Sequence, residues 1–130
     1  MDGKKPGETL QIKRKRVLVV DDDTKILRFV GMSLSLAGYE VITAAGGEEA
    51  LKIVQTNHPD IMLLDILMPG VDGLEVLQRL RQTSKVPVIA FSAHATAADE
   101  ARRLGANDFL AKPFRPDELT GRIEAVLNKC

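Results

Sequence analysis

Two kinds of apolar pattern alternate along the chain. Residues 17–20 (VLVV) form a continuous apolar run that stops at three aspartates. The run is too short for a helix and rich in β-branched side chains, so it predicts a strand buried on both faces. Over residues 24–37 the pattern changes. Ile26, Leu27, Val30, Leu34 and Ala37 recur at helical spacing, and Gly38 supplies a stop. A second strand is predicted at Tyr39–Thr43, and a second helix at 47–56 with Ala50, Leu51 and Val54 facing inward. After Pro59 a third strand follows at 61–64, and the Pro/Gly content of MPGVDG (68–73) predicts a loop. Leu74, Leu77 and Leu80 place a helix at 74–82, and Pro87 introduces a strand at 88–91 (VIAF). A weaker, Ala-rich helix is expected at 96–104, ending at Gly105, and a short strand at Asp108–Ala111. The last helix, 116–128, starts with a proline and turns Leu119, Ile123, Val126 and Leu127 inward.

Five strands that are nearly all apolar, each followed by a helix, imply a parallel sheet covered on both faces. Right-handed crossovers restrict such a sheet to the doubly wound α/β class. Residues 1–15 break the pattern. They are polar and basic, with Lys4, Lys5, Lys13, Arg14 and Lys15, and read as a solvated N-terminal tail before one domain at 16–128.

Composition narrows the function. The 130 residues carry 18 basic and 18 acidic side chains, so nothing marks a general nucleic-acid binder. No apolar run is long enough to span a membrane, and the charged start does not resemble a secretory signal. One cysteine, Cys130, can make neither an internal disulfide nor a thiolate zinc site, which fits a reducing cytoplasm. The chain has no tryptophan and one tyrosine, which argues against aromatic platforms for sugars or single strands.

The chemistry lies at the strand ends. In a doubly wound sheet, ligands bind beyond the carboxyl ends of the strands, near the reversal of strand order. The first strand ends in Asp21, Asp22 and Asp23, the third in Asp65 and the fourth in Ser92, and the fifth ends just before Lys112. Carboxylates crowded into one cleft raise each other's pKa or recruit a cation. An all-oxygen donor set favours a hard divalent ion, Mg²⁺ first and Mn²⁺ as a substitute. Lys112 adds a fixed positive charge, and a phosphoryl group would find partners in the metal, Lys112 and the Ser92 hydroxyl. Asp65, alone on the central strand, is the expected nucleophile, and Asp21 and Asp22 the metal holders. Asp23 is expected to cap the next helix or face solvent. Asp60 and Asp72 read as loop or turn residues. His94, two residues past Ser92, reads as a solvated loop residue or a modulator of water access, while His58 has no companions for a zinc site. A cis bond between Lys112 and Pro113 would aim the lysine inward.

VLVVDDD (17–23), PDIMLLDILMPGVDG (59–73), PVIAFSAHA (87–95) and GANDFLAKPF (105–114), in this order and spacing, resemble the receiver domain of two-component response regulators. The resemblance implies a flavodoxin-like (βα)5 fold with strand order 2-1-3-4-5. It further implies that Asp65 is the phosphoacceptor, that Asp21, Asp22 and the Leu67 carbonyl join Asp65 in holding Mg²⁺, and that Ser92 and Lys112 contact the phosphoryl group. Lys112-Pro113 would be the family's cis peptide and Phe109 its rotating aromatic. Ser92 stands where threonine is commoner, and Phe109 where tyrosine is frequent. Leu67 occupies a position where fast self-dephosphorylating relatives carry a polar side chain.

The implied partners are a histidine kinase or phosphotransfer domain as donor, and a target protein, an output domain or a second copy as reader of the surface formed by helix four, strand five and helix five. No direct nucleic-acid binding is expected. Two rival readings stand beside this one. One is a phosphorylation-independent interaction module. The other is a small Mg²⁺-dependent phosphohydrolase, which Leu67 disfavours because the second acid of an Asp-x-Asp motif is missing.

Overall fold

The computed structural model describes residues 14–68 and 72–129. The elements are β1 (Arg16–Val20), α1 (Thr24–Leu36), β2 (Glu40–Ala44), α2 (Gly47–Asn57), β3 (Ile61–Asp65), α3 (Gly73–Leu80), β4 (Val88–Ser92), a 3₁₀ turn (Ala95–Ala97) running into α4 (Ala98–Arg103), β5 (Asp108–Ala111) and α5 (Pro116–Asn128). The strands pair in the order β2-β1-β3-β4-β5, all parallel, so the fold is the expected doubly wound (βα)5 sheet. The reversal of strand order lies between β1 and β3, which are direct neighbours.

β1, β3 and β4 are buried almost throughout, whereas the edge strand β2 is half-exposed, which its mixed sequence EVITA already suits. Alternation of side chains splits the core. Val17, Val19, Ile61, Leu63, Ile89, Phe91 and Leu110 face α1 and α5, meeting Val30, Leu34, Leu119 and Ile123. On the other face Leu18, Val20, Met62, Leu64 and Val88 meet α2 and α3 through Ala50, Val54, Val76 and Leu77.

Several boundaries differ from expectation for local reasons. β2 begins at Glu40 rather than Tyr39, because Tyr39 completes the end of α1. Its N–H donates to Leu34 O at 3.0 Å, the Gly38 N–H donates to Ser35 O at 3.1 Å, and Gly38 adopts φ +99°. α3 starts one residue early because Asp72 caps it, accepting the Glu75 N–H at 2.9 Å, and it ends at Leu80 rather than residue 82. The expected helix at 96–104 is a six-residue helix preceded by a 3₁₀ turn. Its thin apolar face has a physical reason: Ala97, Ala98, Ala101 and Ala106, with Ala90 from β4, surround the Phe109 ring, and larger side chains would compete with the ring for that space.

Arg81, just past α3, ties three segments together. Its guanidinium donates to Gly105 O at 3.1 and 2.9 Å, to Val86 O at 2.8 Å, to Ser84 O at 3.2 Å and to Asn107 Oδ1 at 3.2 Å. The basic tail over residues 1–13, Cys130 and residues 69–71 of the MPGVDG loop lie outside the described residues.

Candidate functional site

The ladder continues one residue past each strand, and that extension places the site. The Asp21 N–H donates to Ala44 O at 3.1 Å, the Ile66 N–H to Phe91 O at 3.0 Å and the Lys112 N–H to Ser92 O at 2.9 Å. The tips of β1, β3, β4 and β5 are thus held level. Counting in twos from Val19, Leu63 and Leu110 puts Asp21, Asp65 and Lys112 on the sheet face that also carries Phe91.

Each buried acid is oriented by its own turn. Asp21 Oδ1 accepts the Asp23 N–H at 2.9 Å, and Asp65 Oδ1 accepts the Leu67 N–H at 3.1 Å. This leaves both Oδ2 atoms toward Lys112, whose Nζ lies 3.2 Å from Asp21 Oδ2 and 3.6 Å from Asp65 Oδ2. Lys112-Pro113 is cis, as expected. Asp22 is exposed, and its carboxylate completes a group with Asp21 and Asp65 whose oxygens lie within 4.8 Å of one another.

The donor set suits a hard divalent cation. All three ligands are carboxylate oxygens. Opposite oxygens around Mg²⁺ stand about 4.2 Å apart, so small side-chain adjustments suffice. Three carboxylates against one ammonium leave the cup with about two negative charges uncompensated, which a divalent ion balances. Asp65 reports the same deficit. Burial, and next the neighbouring Asp21 carboxylate, push its pKa up to about 6, against the lowering pull of Lys112 and the Leu67 N–H.

The other expected residues sit around this cup. Ser92 is buried at the end of β4, and its Oγ accepts the His94 N–H at 3.0 Å, which keeps the hydroxyl proton for a donor role. His94 is exposed beside it and meets Ser92 through its backbone. Leu67 is half-exposed at the rim. Asp23 caps α1, accepting the Lys25 N–H at 2.9 Å, and Asp60 accepts the Arg16 N–H at 2.7 Å at the opposite end of the sheet. Phe109 is buried among the alanines of α4, one face of the sheet away from Lys112.

A family model, the response regulator receiver domain, matches residues 17–124. This chain belongs to that family. The receiver is 46% identical over 122 residues to the "Probable transcriptional regulator ycf27" of Cyanophora paradoxa, covering 92% of this chain and 51% of that one. It is 41% identical over 118 residues to the alkaline phosphatase synthesis transcriptional regulatory protein PhoP of Bacillus subtilis, covering 88% and 49% respectively. The chain therefore spans about half the length of the curated relatives it matches. Among solved structures, the Francisella response regulator 1452 receiver domain superposes with a TM-score of 0.84 at 36% identity, covering 89% of this chain and 98% of that one. The Vibrio cholerae chemotaxis protein CheY4 gives 0.83 at 34% identity, covering 88% and 99%. Among the described residues, no helix of the receiver is long and apolar enough to cross a membrane.

Two site residues were not legible as such. Phe91 reads as a core strand residue in VIAF, yet its ring lies under the Lys112 ammonium, 4.9 Å from centroid to Nζ. Gly73 reads as a loop glycine, yet it packs directly on the backbone of Asp65 and Ile66.

Proposed function

We propose that this receiver, taken as residues 16–128, is a phosphorylation-activated switch that accepts a phosphoryl group on Asp65 from a phosphohistidine donor. The observation that carries this reading is the convergence of the Asp21, Asp22 and Asp65 carboxylates with the Lys112 ammonium at the strand tips.

In the reaction, an Asp65 carboxylate oxygen attacks phosphorus. The P–N bond to the donor imidazole breaks, and the imidazole nitrogen leaves with the bonding electron pair. Little covalent chemistry is asked of the protein, so positioning and charge dominate. Lys112 offers N–H donors to one phosphoryl oxygen and Ser92 its hydroxyl to another. A divalent ion held by Asp21, Asp22, Asp65 and the Leu67 carbonyl supplies, when bound, the remaining positive charge. Raising the acceptor's pKa by burial also makes its oxygen more basic, which favours bond formation to phosphorus. The domain catalyses its own modification and later hydrolyses its acyl phosphate, with no separate substrate.

Ser92 moving toward the phosphoryl group would free space for Phe109 and reshape the α4–β5–α5 surface, the face offered to a target, an output domain or a second copy. The cup opens beside an exposed apolar stripe on α1, Phe29, Met32 and Leu36, continuous with Ile26 and Phe114. That stripe is our candidate docking face for the protein donor, in a cytoplasmic setting.

The reading is tested by incubating the chain with acetyl phosphate and Mg²⁺. We expect a stoichiometric acyl phosphate on Asp65 that is absent from Asp65→Asn and from samples in EDTA. Label on another side chain, or full labelling of the variant, would overturn it. Steady turnover of acetyl phosphate by the chain, many equivalents without accumulated label, would favour a phosphohydrolase instead.

Two further outcomes follow from the rim. Leu67 cannot orient a water, so the label should persist for minutes or longer. Leu67→Asn should shorten its lifetime by roughly tenfold or more, and disappearance of label from the unaltered chain within seconds would contradict this. Phe29→Asp should slow transfer from a phosphorylated kinase by roughly tenfold, the loss expected for a buried anchor, while acetyl phosphate labelling keeps its rate. Equal loss with both donors would remove α1 from the docking face.

A further inference from the structure

A lysine at this position poses a mechanical problem. Its ammonium sits at the end of a flexible four-carbon stem with three rotatable donors. Two carboxylates hold it, at 3.2 and 3.6 Å, but both belong to the group that takes the cation and the phosphoryl. A third contact comes from below. The Phe91 ring presents its face to Lys112 Nζ with the centroid 4.9 Å away. Phe91 is 2% exposed and meets Phe114 in a T-shaped contact, with centroids 5.8 Å apart and planes at 85°, so its ring is held in place. Phe91 is also the register partner of Asp65 on the neighbouring strand, and Ile66 N–H donates to its carbonyl at 3.0 Å. Ring and acceptor therefore share one backbone frame.

A ring face differs from a carboxylate in what it leaves behind. It attracts the ammonium through its quadrupole without neutralising its charge. An ammonium held this way keeps its full charge for an incoming phosphoryl oxygen.

We propose that Phe91 is a positioning residue for phosphoryl transfer, its ring face fixing the Lys112 ammonium at the rim of the Asp21–Asp65 cup. The role rests on the reading of Asp65 as acceptor, and acts through Lys112.

The test replaces Phe91 in the full chain by mono-, di- and trifluorophenylalanine, which drain the ring face of negative potential with little change of shape. Initial rates of Asp65 labelling by acetyl phosphate with Mg²⁺ are compared with the melting temperature and with the ¹⁵Nζ resonance of Lys112. We expect the rate to fall stepwise with each fluorine, by roughly threefold to tenfold in all. The Lys112 resonance should shift in the same order while melting stays nearly constant. Phe91→Leu, which keeps an apolar side chain and loses the ring, should fall in rate as far as the trifluoro protein. A flat rate series in a chain that still labels on Asp65 overturns the role of Phe91 and leaves the acceptor reading intact. A Lys112 resonance that ignores fluorination overturns the contact itself. If the unaltered chain takes no label on Asp65, the acceptor reading fails and this role fails with it.

Discussion

Gly73→Ala is expected to damage both stability and phosphorylation. A Cβ at position 73 would collide with Asp65 O and stand 2.5 Å from Ile66 Cα and 2.9 Å from Asp65 C. All three are backbone atoms, so no rotamer change relieves the clash. The start of α3 and the strand tip must separate by about an ångström, and overpacking of this kind costs about 3 kcal/mol. The bond from Gly73 N–H to Ile66 O, 2.9 Å, and the Leu67 N–H to Asp65 Oδ1 bond, 3.1 Å, lie in the strained segment. We expect the melting temperature to fall by roughly 10 °C and acetyl phosphate labelling to slow by more than about tenfold, because near-attack placement is lost. Gly121→Ala is the control. Its Cβ meets nothing within 4 Å on exposed α5, so the change should be neutral or stabilise by about 0.5–1 kcal/mol. Equal melting of the two variants would show that the close approach at Gly73 carries no strain.

Asp65→Asn should make the metal-free domain more stable at neutral pH while abolishing its labelling. The Asp65 carboxyl titrates at about 6 in the fold against 3.8 when unperturbed. Between these values the folded chain keeps a proton that the unfolded chain has lost, so stability falls as pH rises through this window. Above pH 6 the full penalty is present, about 3 kcal/mol from the difference of the two pKa values. Below pH 4 it is absent, because both states are protonated. Asparagine carries no such penalty but gives Lys112 a weaker partner, so we expect a net gain of about 2 kcal/mol at pH 7.5. Denaturation of both proteins in EDTA from pH 4.5 to 8 reads the difference, which should shrink toward acid. Adding Mg²⁺ at pH 7.5 should stabilise the unaltered domain by mass action and the variant less. A difference that grows toward acid would reverse the sign and refute the account.

The sequence carried most of this fold, for identifiable reasons. IMLLD and VLVV are uninterrupted apolar runs ending at or just before acids, and a buried parallel strand followed by an acidic tip is written within five or six residues. The placement of Asp21, Asp22, Asp65, Ser92 and Lys112 at one edge was legible because each lies at or just past a strand end, and β pairing then levels those ends. What was not legible depends on contacts between distant segments. Tyr39 looks like a strand residue until the end of α1 claims its N–H. Gly73 looks like any loop glycine until Asp65 O is found against it. Phe91 looks like core, and only the reach of Lys112 from β5 gives its ring a second task. The α4 segment was weak in sequence because its small residues are shaped by a ring on another strand, Phe109.

The Arg81 clasp has a mechanical consequence for that same helix. Gly105 O, just past α4, and Asn107 Oδ1, just before β5, are both held by one guanidinium, so the heel of the helix is bolted to the body of the protein. Its toe carries no such fastening: Ala97 precedes it without a side-chain cap, on a single 3₁₀ turn. Movement beginning at residues 93–97 would therefore swing α4 about its far end like a hinged latch, and a neighbouring molecule would sense the largest excursion nearest the cup.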